Sequence, residues 1–349
     1  MAKSYLLKVV LLLGLLAGML VAPIATTSAA PQPHPEVIVP IMVSTPEHLA
    51  SMANDGFADI LRKRHPWLRV SVLPTQGYMY NLKVIVDEPA KRKNTVFGSA
   101  PAVYQTAVDS KMPFTEGLKT ANPKHLWNEY APILHWATTQ PDKIKTIYDM
   151  AGKKVAHPAA ASGINLELSA ILKGAGVFDK LGSMAHVSID NIHSLLLDGL
   201  ADVGAVNSLG NSADGSCVPL TGIVQISSMA KTFGYIGIGT SLQDAQKNIA
   251  ASPIPTMHAG RIPNGTIPRQ TGDVYAMFGI CWKDADVTFP EELAYALVKA
   301  KLEYCDALKS YGGLLKIHTK EFFCYDAEKE LNRWHPGALR AYREAGLLK

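Results

Sequence analysis

Residues 37–47 read VIVPIMV (Val37–Val43) and then STPE (Ser44–Glu47), and this junction decides the fold. The first run is short and apolar, which predicts a buried strand, and its internal Pro40 indicates an edge or a bulge. The second run offers a polar cap, a proline in the first helical turn and an acidic residue, which together predict the start of a helix. A strand that leads directly into a helix is the unit from which α/β folds are built.

The same alternation of strands and helices continues along the chain. Leu68–Leu73 and Thr95–Ser99 have the composition of further strands, and a helix is predicted to begin near Asn81 between them. The pattern starts again at Lys154–His157 after a long interval. The sequence therefore predicts an α/β protein whose sheet is mostly parallel and is covered by helices on both faces.

The chain length indicates two lobes. The 349 residues exceed the roughly 250–300 at which a single hydrophobic core stops growing. We expect lobe 1 to comprise residues 31–134, lobe 2 residues 135–262, and residues 263–349 to contain a second crossing and the return to lobe 1. Two crossings between lobes, near Leu134–Thr139 and Pro263–Met277, predict a hinged cleft.

The first thirty residues have the pattern of a secretory signal peptide. Lys3 and Lys8 precede an apolar run, Leu11–Ile24, and the small residues Ser28-Ala29-Ala30 follow it. This pattern predicts cleavage after Ala30 and an exported, periplasmic mature protein. The alternative is an uncleaved anchor, although the apolar run is shorter than the ~20 residues that a spanning helix needs.

Composition narrows the class of protein. Hydrophobic residues make up 48% of the chain and charged residues 18%, which is typical of a globular protein. The formal charge of +4 comes from 34 basic and 30 acidic residues that are spread along the chain, so a nucleic-acid partner is not indicated. The sequence contains no phosphate-binding loop, nucleophile elbow or zinc-protease motif, and we predict no catalytic residue, metal or cofactor.

The four cysteines leave two possibilities open. Cys217, Cys281, Cys305 and Cys324 form disulfides in an oxidising compartment, with Cys305 and Cys324 the first pair to test, or they are buried thiols. Their spacing matches no metal-binding motif. His335 is expected to cap or satisfy buried backbone rather than to bind a metal, and TFPE (Thr288–Glu291) has the form of a capping box that opens a helix.

Several short motifs occur in an order and at spacings typical of one protein family. They are LPTQG with NL (Leu73–Leu82), MAGKKV with ASG (Met150–Gly163), LLDGLAD (Leu196–Asp202), IPNGTIP (Ile262–Pro268) and WHPGALRAYREAG (Trp334–Gly346). By these motifs the chain resembles the TAXI family of solute receptors, the periplasmic binding proteins of tripartite ATP-independent periplasmic (TRAP) transporters. The resemblance extends over nearly all of the chain after residue 30.

The resemblance implies a type II periplasmic-binding-protein fold, with two lobes and a hinged cleft. It also implies a receptor that captures a small organic acid, such as glutamate or 2-oxoglutarate, and delivers it to the permease subunits of a TRAP transporter. We expect a monomer without a cofactor. Tyr78 stands where relatives have serine, so a bulkier or aromatic ligand fits the sequence equally well. A sensory binding protein that serves a membrane receptor, and a secreted hydrolase with a dispersed triad, remain as alternatives.

Candidate ligand-binding residues lie where predicted strands end, because ligands of open α/β sheets bind at the carboxyl ends of the strands. Ser162 and Gly163 begin a helix whose free N–H groups suit an anion, although an ordinary serine cap explains them too. Arg269 suits a bidentate contact with a carboxylate, or is a solvated surface charge. The predicted ligand-binding set is Ser44, Thr45, Gln76, Gly77, Tyr78, Asn81, Ser99, Ser162, Gly163, Asn207 and Arg269.

Overall fold

The computed structural model describes residues 35–44, 49–160, 162–214, 216–238, 256–257, 275–277 and 280–349. The predicted signal peptide and most of the predicted second crossing lie outside these residues. Residues Glu36–Lys349 form one compact unit. Among the described residues, no helix is long and apolar enough to cross a membrane.

The described part of the chain contains twelve strands. They are β1 (Val37–Met42), β2 (Leu68–Leu73), β3 (Val96–Ser99), β4 (Pro123–Thr138), β5 (Lys154–Pro158), β6 (Ser183–Val187), β7 (Val203–Gly210), β8 (Cys217–Pro219), β9 (Gly234–Ile236), β10 (Thr256–Met257), β11 (Tyr275–Met277) and β12 (Cys281–Asp286).

Eleven α-helices accompany the strands within the described ranges. They are α1 (Leu49–Arg64), α2 (Tyr78–Asp87), α3 (Pro89–Arg92), α4 (Pro101–Val108), α5 (Gly163–Gly174), α6 (Ile192–Leu197), α7 (Thr221–Met229), α8 (Glu291–Glu303), α9 (Cys305–Leu308), α10 (Lys320–Phe323) and α11 (Pro336–Glu344). Short 3₁₀ turns, such as Phe178–Lys180 and Gly313–Ile317, connect several of them.

The strands form one mixed sheet in the order β2-β1-β3-β12-β4-β7-β5-β6. Its two ends are parallel, as the strand-helix alternation predicts, because β1 pairs in parallel with β2 and β3, and β5 does so with β6 and β7. The middle is antiparallel, because β12 returns from the C-terminal part of the chain and pairs with β3 and β4. Pro40 lies one residue before β1 begins to pair with β3 at Ile41, so its missing N–H leaves no bond to β3 unmade.

Two hydrophobic cores lie along this sheet. The first core gathers side chains from β1, β3, β12 and the first half of β4, with Phe57 of α1 and Leu297 of α8 among them. The second core gathers β5, β7, β9 and the second half of β4, with Ile171 of α5 and Ile223 of α7. The strand β4 passes from one core to the other between Tyr130 and Ile133. The lobe boundaries at residues 134 and 262 stay a prediction.

The C-terminal motif closes the first core through α11. His335 caps this helix, since its ring accepts a hydrogen bond from the Gly337 N–H at 3.3 Å, and its Nε2 lies 3.1 Å from the carbonyl oxygen of Phe289. The expected role of His335 in satisfying backbone is therefore confirmed. The expected capping box is wrong, because Thr288 hydrogen-bonds to Asp286 and α8 begins after Pro290 without a side-chain cap.

Three cysteines are buried free thiols, namely Cys281, Cys305 and Cys324. The pair that the sequence made the first to test, Cys305 with Cys324, is not formed. Each of these two sulfurs instead faces a backbone carbonyl oxygen, at 3.6 Å from that of His318 for Cys305 and 3.9 Å from that of Lys320 for Cys324. Both thiols therefore pack as small apolar groups in the first core.

We expect Gly337→Ala to destabilise the protein. A methyl group at this position would overlap the backbone oxygen of Glu291 and lie 2.8 Å from the backbone nitrogen of Tyr295, so α8 and α11 would have to separate. Overpacking of this kind costs about 1–3 kcal/mol, which urea denaturation would measure. Gly313→Ala, where nothing lies within 4 Å of the added methyl group, is the matched control. Equal stability of the two variants would contradict this account of the packing.

Candidate functional site

The loop between β2 and α2 is tied to the ends of two neighbouring strands. The Asn81 side-chain amide donates to the carbonyl oxygens of Val43, at 2.9 Å, and Gly98, at 3.3 Å. The Thr75 hydroxyl donates to Asn81 Oδ1 at 2.6 Å. Asn81 is fully buried, and these bonds engage its whole amide group with the scaffold. Its role as a ligand contact stays a prediction, whereas its role in joining β1, β2 and β3 is visible.

Gly77 supplies the turn that this loop requires. Its φ of +123° lies in a region that side chains rarely adopt, and α2 begins at the next residue. Gln76 is exposed and lines an open groove of about 710 Å³ together with Tyr80, Lys91 and Asn94. Gly77 therefore turns the chain inward, so that Tyr78 points toward the sheet.

Tyr78 and Tyr130 form a buried hydroxyl pair near the middle of β4. Their hydroxyl oxygens lie 2.9 Å apart, and that of Tyr78 also lies 3.4 Å from Glu129 Oε2. Burial raises the pKa of both phenols well above the ordinary value, so both are neutral. The Tyr78 ring packs where a side chain on Gly98 would stand, which explains the glycine in β3.

A buried ionic cluster lies directly behind these tyrosines. Glu129 Oε2 forms a salt bridge with the Lys283 ammonium at 2.7 Å, and Glu129 Oε1 accepts a hydrogen bond from the Asn54 amide at 2.6 Å. Burial alone would raise the pKa of Glu129, but the charges of Lys283 and Lys301 outweigh it and hold that pKa below the ordinary value. The cluster therefore stays ionised inside the first core.

Lys301 adds a second buried ammonium to this cluster. Its Nζ makes no hydrogen bond and lies 4.8 Å from the ring centre of Phe57, 5.4 Å from that of Trp127 and 5.7 Å from that of Phe323. Burial lowers its pKa to about 8, so it remains largely protonated at neutral pH. Two ammonium groups against one carboxylate leave the cluster with a positive charge behind the tyrosine pair.

Glu167 of α5 is a buried carboxyl that faces the first core. It is 6% exposed, and no hydrogen bond or ion pair to it is found among the described residues. It helps, after burial, to raise the pKa of the Cys281 thiol, so these two side chains lie close together. Burial raises the pKa of Glu167 to about 8. Cys281 itself lies opposite Tyr130 on β4.

Two of the residues predicted from sequence present polar groups without partners. The Ser99 hydroxyl is fully buried and makes no hydrogen bond. Asn207 is 7% exposed, and within the described ranges its side-chain amide makes none. Asn207 lies opposite Leu134 on β4, so it shares a face of the sheet with Leu134 and, by even spacing, with Tyr130. The structure thus brings Asn207 toward the stretch of β4 that joins the cores.

Ser162 and Gly163 open α5, as predicted. The Ser162 hydroxyl accepts a hydrogen bond from the Asn165 N–H at 3.2 Å, which is an ordinary helix cap. The hydroxyl proton remains for another acceptor, so a ligand contact by Ser162 stays a prediction. His157, at the end of β5, is fully buried, and burial lowers its pKa to about 4. His157 therefore adds no charge near this end of α5 at neutral pH.

The remaining predicted residues lie at the margins. Thr45 and Arg269 fall outside the described residues. Ser44 is partly exposed, and its carbonyl oxygen accepts from the Thr75 N–H at 3.1 Å. The chemistry of Tyr130, Glu167 and the buried cluster was missed from sequence, although a lone acidic residue within the apolar run around Glu129 was an available signal.

The geometry suits binding through hydrogen bonds. The groups between the cores are hydroxyls, an amide, a thiol and a carboxyl, and a surplus positive charge lies behind them. No cluster of side chains that could hold a metal ion occurs among the described residues. Buried polar groups normally find partners, so the unpartnered ones between the cores mark a place for a small molecule.

The sequence profile of the NMT1-like family matches residues 59–346. The chain belongs to the NMT1-like family. The match begins within α1 and ends at Gly346, so it includes the second core, most of the first core and every described strand after β1.

This NMT1-like protein has the fold of known periplasmic binding proteins. MatC from Rhodopseudomonas palustris, solved with bound malate, matches with a TM-score of 0.52 and 13% identity over 88% of this chain and 100% of that one. Also similar are the aliphatic sulphonate binding protein SsuA from Escherichia coli (TM-score 0.41, 13% identity, 88% and 83% covered) and a TctC solute binding protein from Polaromonas (0.45, 14%, 90% and 98%). The fold is a type II periplasmic-binding-protein fold, with two lobes and a hinged cleft.

We expect Asn81→Ala to destabilise the fold of this NMT1-like protein. The substitution leaves the carbonyl oxygen of Gly98 without this donor, while that of Val43 keeps the Thr75 hydroxyl as a donor, and an unsatisfied buried group costs about 1–3 kcal/mol. Urea denaturation should show a loss of about 1–3 kcal/mol. Asn332→Ala, at an exposed position, is the control. A fully stable Asn81→Ala variant would contradict the role of Asn81 in joining the strands.

Glu167→Gln should stabilise the ligand-free protein at alkaline pH. The folded-state pKa of about 8 exceeds the ordinary 4.5, so the unfolded chain releases this proton first and the stability of the native protein falls as pH rises from 4.5 to 8. The loss is about 1.4 kcal/mol per pH unit in that window, and glutamine removes it. The melting temperature should therefore fall less between pH 5 and pH 8 in Glu167→Gln than in the wild-type protein. Glu321→Gln, at an exposed position, is the control. If the melting temperature fell equally in the variant and in the wild-type protein between pH 5 and pH 8, a protonated Glu167 would be contradicted.

Proposed function

We propose that the protein is an extracytoplasmic solute receptor that captures a small organic acid between two lobes. The observation that carries the proposal is the buried Ser99 hydroxyl, together with the Asn207 amide, which is 7% exposed; the described residues supply neither group with a hydrogen-bond partner. A folded protein leaves such groups unsatisfied at a cost of about 1–3 kcal/mol each. A bound solute supplies the missing partners and stabilises the closed form.

The anionic character of the solute is supported by the charge behind the site. Lys283 and Lys301 face a single carboxylate, that of Glu129, and leave a positive charge behind the Tyr78–Tyr130 pair. A positive charge in surroundings of low dielectric constant favours a nearby anion. MatC, which has this fold, was solved with malate, and that makes dicarboxylates the first compounds to test.

The proposed binding residues divide into two groups by what they contact. Ser99, Ser162, Gly163 and Asn207 are proposed to contact the solute, because each presents a hydroxyl, an amide or a helix N-terminus at the junction. Asn81, with Gly77, shapes the loop that carries Tyr78. The proposed set of ligand-binding residues is completed at its margin by Ser44, Thr45, Gln76 and Arg269.

The partner is proposed to be a TRAP-type secondary transporter. Solute-binding proteins of this fold hand small molecules to membrane proteins, and the TAXI-like motifs favour TRAP permease subunits among these. The NMT1-like protein itself is then a receptor without catalytic activity. We further propose export by a signal peptide cleaved near Ala30, with residues 31–134 and 263–349 forming lobe 1 and residues 135–262 forming lobe 2.

A thermal-shift screen tests the function. The protein produced from the full chain should be stabilised by one class among dicarboxylates, oxoacids, amino acids and aromatic acids, because a ligand that binds only the folded state adds about 2.7 kcal/mol at one hundred times its Kd. Ligand recovered unchanged after long incubation would agree with a receptor. Turnover of the ligand would contradict it, and the absence of a shift with every class would contradict an organic-acid receptor.

Two substitutions test the site. Ser99→Ala and Asn207→Ala should each weaken binding of the stabilising compound about tenfold, since each removes one hydrogen bond worth about 1 kcal/mol or slightly more. The matched controls are Ser183→Ala and Asn332→Ala, both at exposed positions. Isothermal titration calorimetry gives the affinities. Wild-type affinity in both Ser99→Ala and Asn207→Ala would place the solute elsewhere.

A further inference from the structure

Glu167 occupies a place where an acidic residue is unexpected. Its neighbours on α5, Leu168 and Ile171, pack into the second core, whereas α5 also contacts α4, the helix after β3 that packs into the first core. The carboxyl therefore lies between the two cores, at the proposed solute site. An ionised carboxylate there would repel an anionic solute.

The carboxyl is buried without compensation. Glu167 is 6% exposed, and the described part of the chain offers it no hydrogen bond and no ion pair. Glu129, by comparison, is fully buried, but it forms a salt bridge with Lys283 and accepts a hydrogen bond from Asn54. An unpaired buried carboxyl takes up a proton, and burial accordingly raises the pKa of Glu167 to about 8. At neutral pH Glu167 therefore presents an O–H donor.

The groups that surround Glu167 do not change charge near this pH. On the strands opposite, burial raises the pKa of the Cys281 thiol and of the Tyr130 phenol, so both stay neutral. The packed helix α4 carries Tyr104 and no charged residue. On β5, His157 is neutral because burial lowers its pKa to about 4.

The charged side chains on the elements packed against α5 are exposed. They are Lys154 at the start of β5, and Asp179 and Lys180 in the 3₁₀ turn Phe178–Lys180 that follows α5. Within the described residues, Glu167 is thus the titrating group nearest to the junction of the cores, while Lys301, in the cluster behind the tyrosine pair, has a pKa of about 8 and also loses charge as pH rises.

We propose that Glu167 determines the specificity of the site by donating its carboxyl proton in a hydrogen bond to an ionised carboxylate of the solute. The inference rests on the proposed function and adds to it the group that recognises the carboxylate of the solute. A hydrogen bond with one ionised partner is roughly twice as strong as a neutral one. Loss of the proton replaces this bond by repulsion between two carboxylates, so binding requires the protonated form.

The test is the pH dependence of affinity for two probes, L-malate and 2-oxoglutarate. The carboxyl groups of both are fully ionised from pH 6.5 to pH 9.5, so the probes themselves do not titrate. Calorimetry on the wild-type protein should show affinity falling up to tenfold per pH unit above pH 8. Glu167→Gln keeps a donor that does not titrate, so its affinity should stay within about threefold of the wild-type value at pH 7. Above pH 8 its affinity should fall less steeply than that of the wild type, because only Lys301 of the buried cluster then loses charge. Glu167→Leu, which has no donor, should bind at least tenfold more weakly at pH 7.

Three results would overturn the proposal while leaving a solute receptor in place. The first is a wild-type affinity that does not change with pH. The second is an affinity that rises with pH, which would indicate an ionised Glu167 paired with a cationic group. The third is a Glu167→Gln variant whose affinity falls with pH as steeply as that of the wild type. Absence of binding for both probes to folded wild-type protein at pH 6.5 would overturn the proposal; failure of the wider screen as well would overturn the receptor function. Circular dichroism of each variant confirms folding before the titrations are compared.

Discussion

The strand β4 carries the backbone hydrogen bonds of both halves of the sheet. Its first half pairs with β12, and its second half pairs with β7, β9 and β11. Trp127 on this strand packs into the first core and Trp136 into the second. Because one continuous strand serves two cores, the stretch from Tyr130 to Leu134 necessarily lies between them, and side chains from both sides converge on it.

The groups around this stretch are of two kinds. Glu129 is a buried charge with several partners, and its cluster holds the scaffold behind the site together. Ser99, Asn207 and Glu167 are buried or nearly so and lack partners in the described part of the protein. Selection tolerates such destabilising groups where function needs them. Among the described residues, Trp127 Nε1 and Trp136 Nε1 also lack partners inside the two cores, so the position of a group, and not its missing partner alone, marks the proposed binding surface.

The parts of the fold that were predictable from sequence are those with local signals. β2 coincides with the predicted run Leu68–Leu73, because apolar residues alternate there and a turn follows. β4 was not predicted, because nearly all of its sixteen residues are buried and the strand therefore shows no alternation of apolar and polar residues. The prediction of a capping box at Thr288–Glu291 failed for a different reason, because the Thr288 hydroxyl donates a hydrogen bond to the nearby Asp286.

The sequence by itself determined the α/β class and the loops at the carboxyl ends of the strands, and it showed a resemblance to solute receptors, because periodicity, caps and short motifs are local properties of the chain. Only the tertiary structure decided which polar side chains are available to a solute. Asn81 and Ser99 looked alike as residues at strand ends. Asn81, however, donates hydrogen bonds to Val43 and Gly98, while the Ser99 hydroxyl has no hydrogen-bond partner in the described part of the chain. Glu167 gave no local signal, because its protonation depends on burial between cores that distant segments build. Whether a hydrogen-bonding group is satisfied depends on atoms brought together by folding, and no local pattern records that.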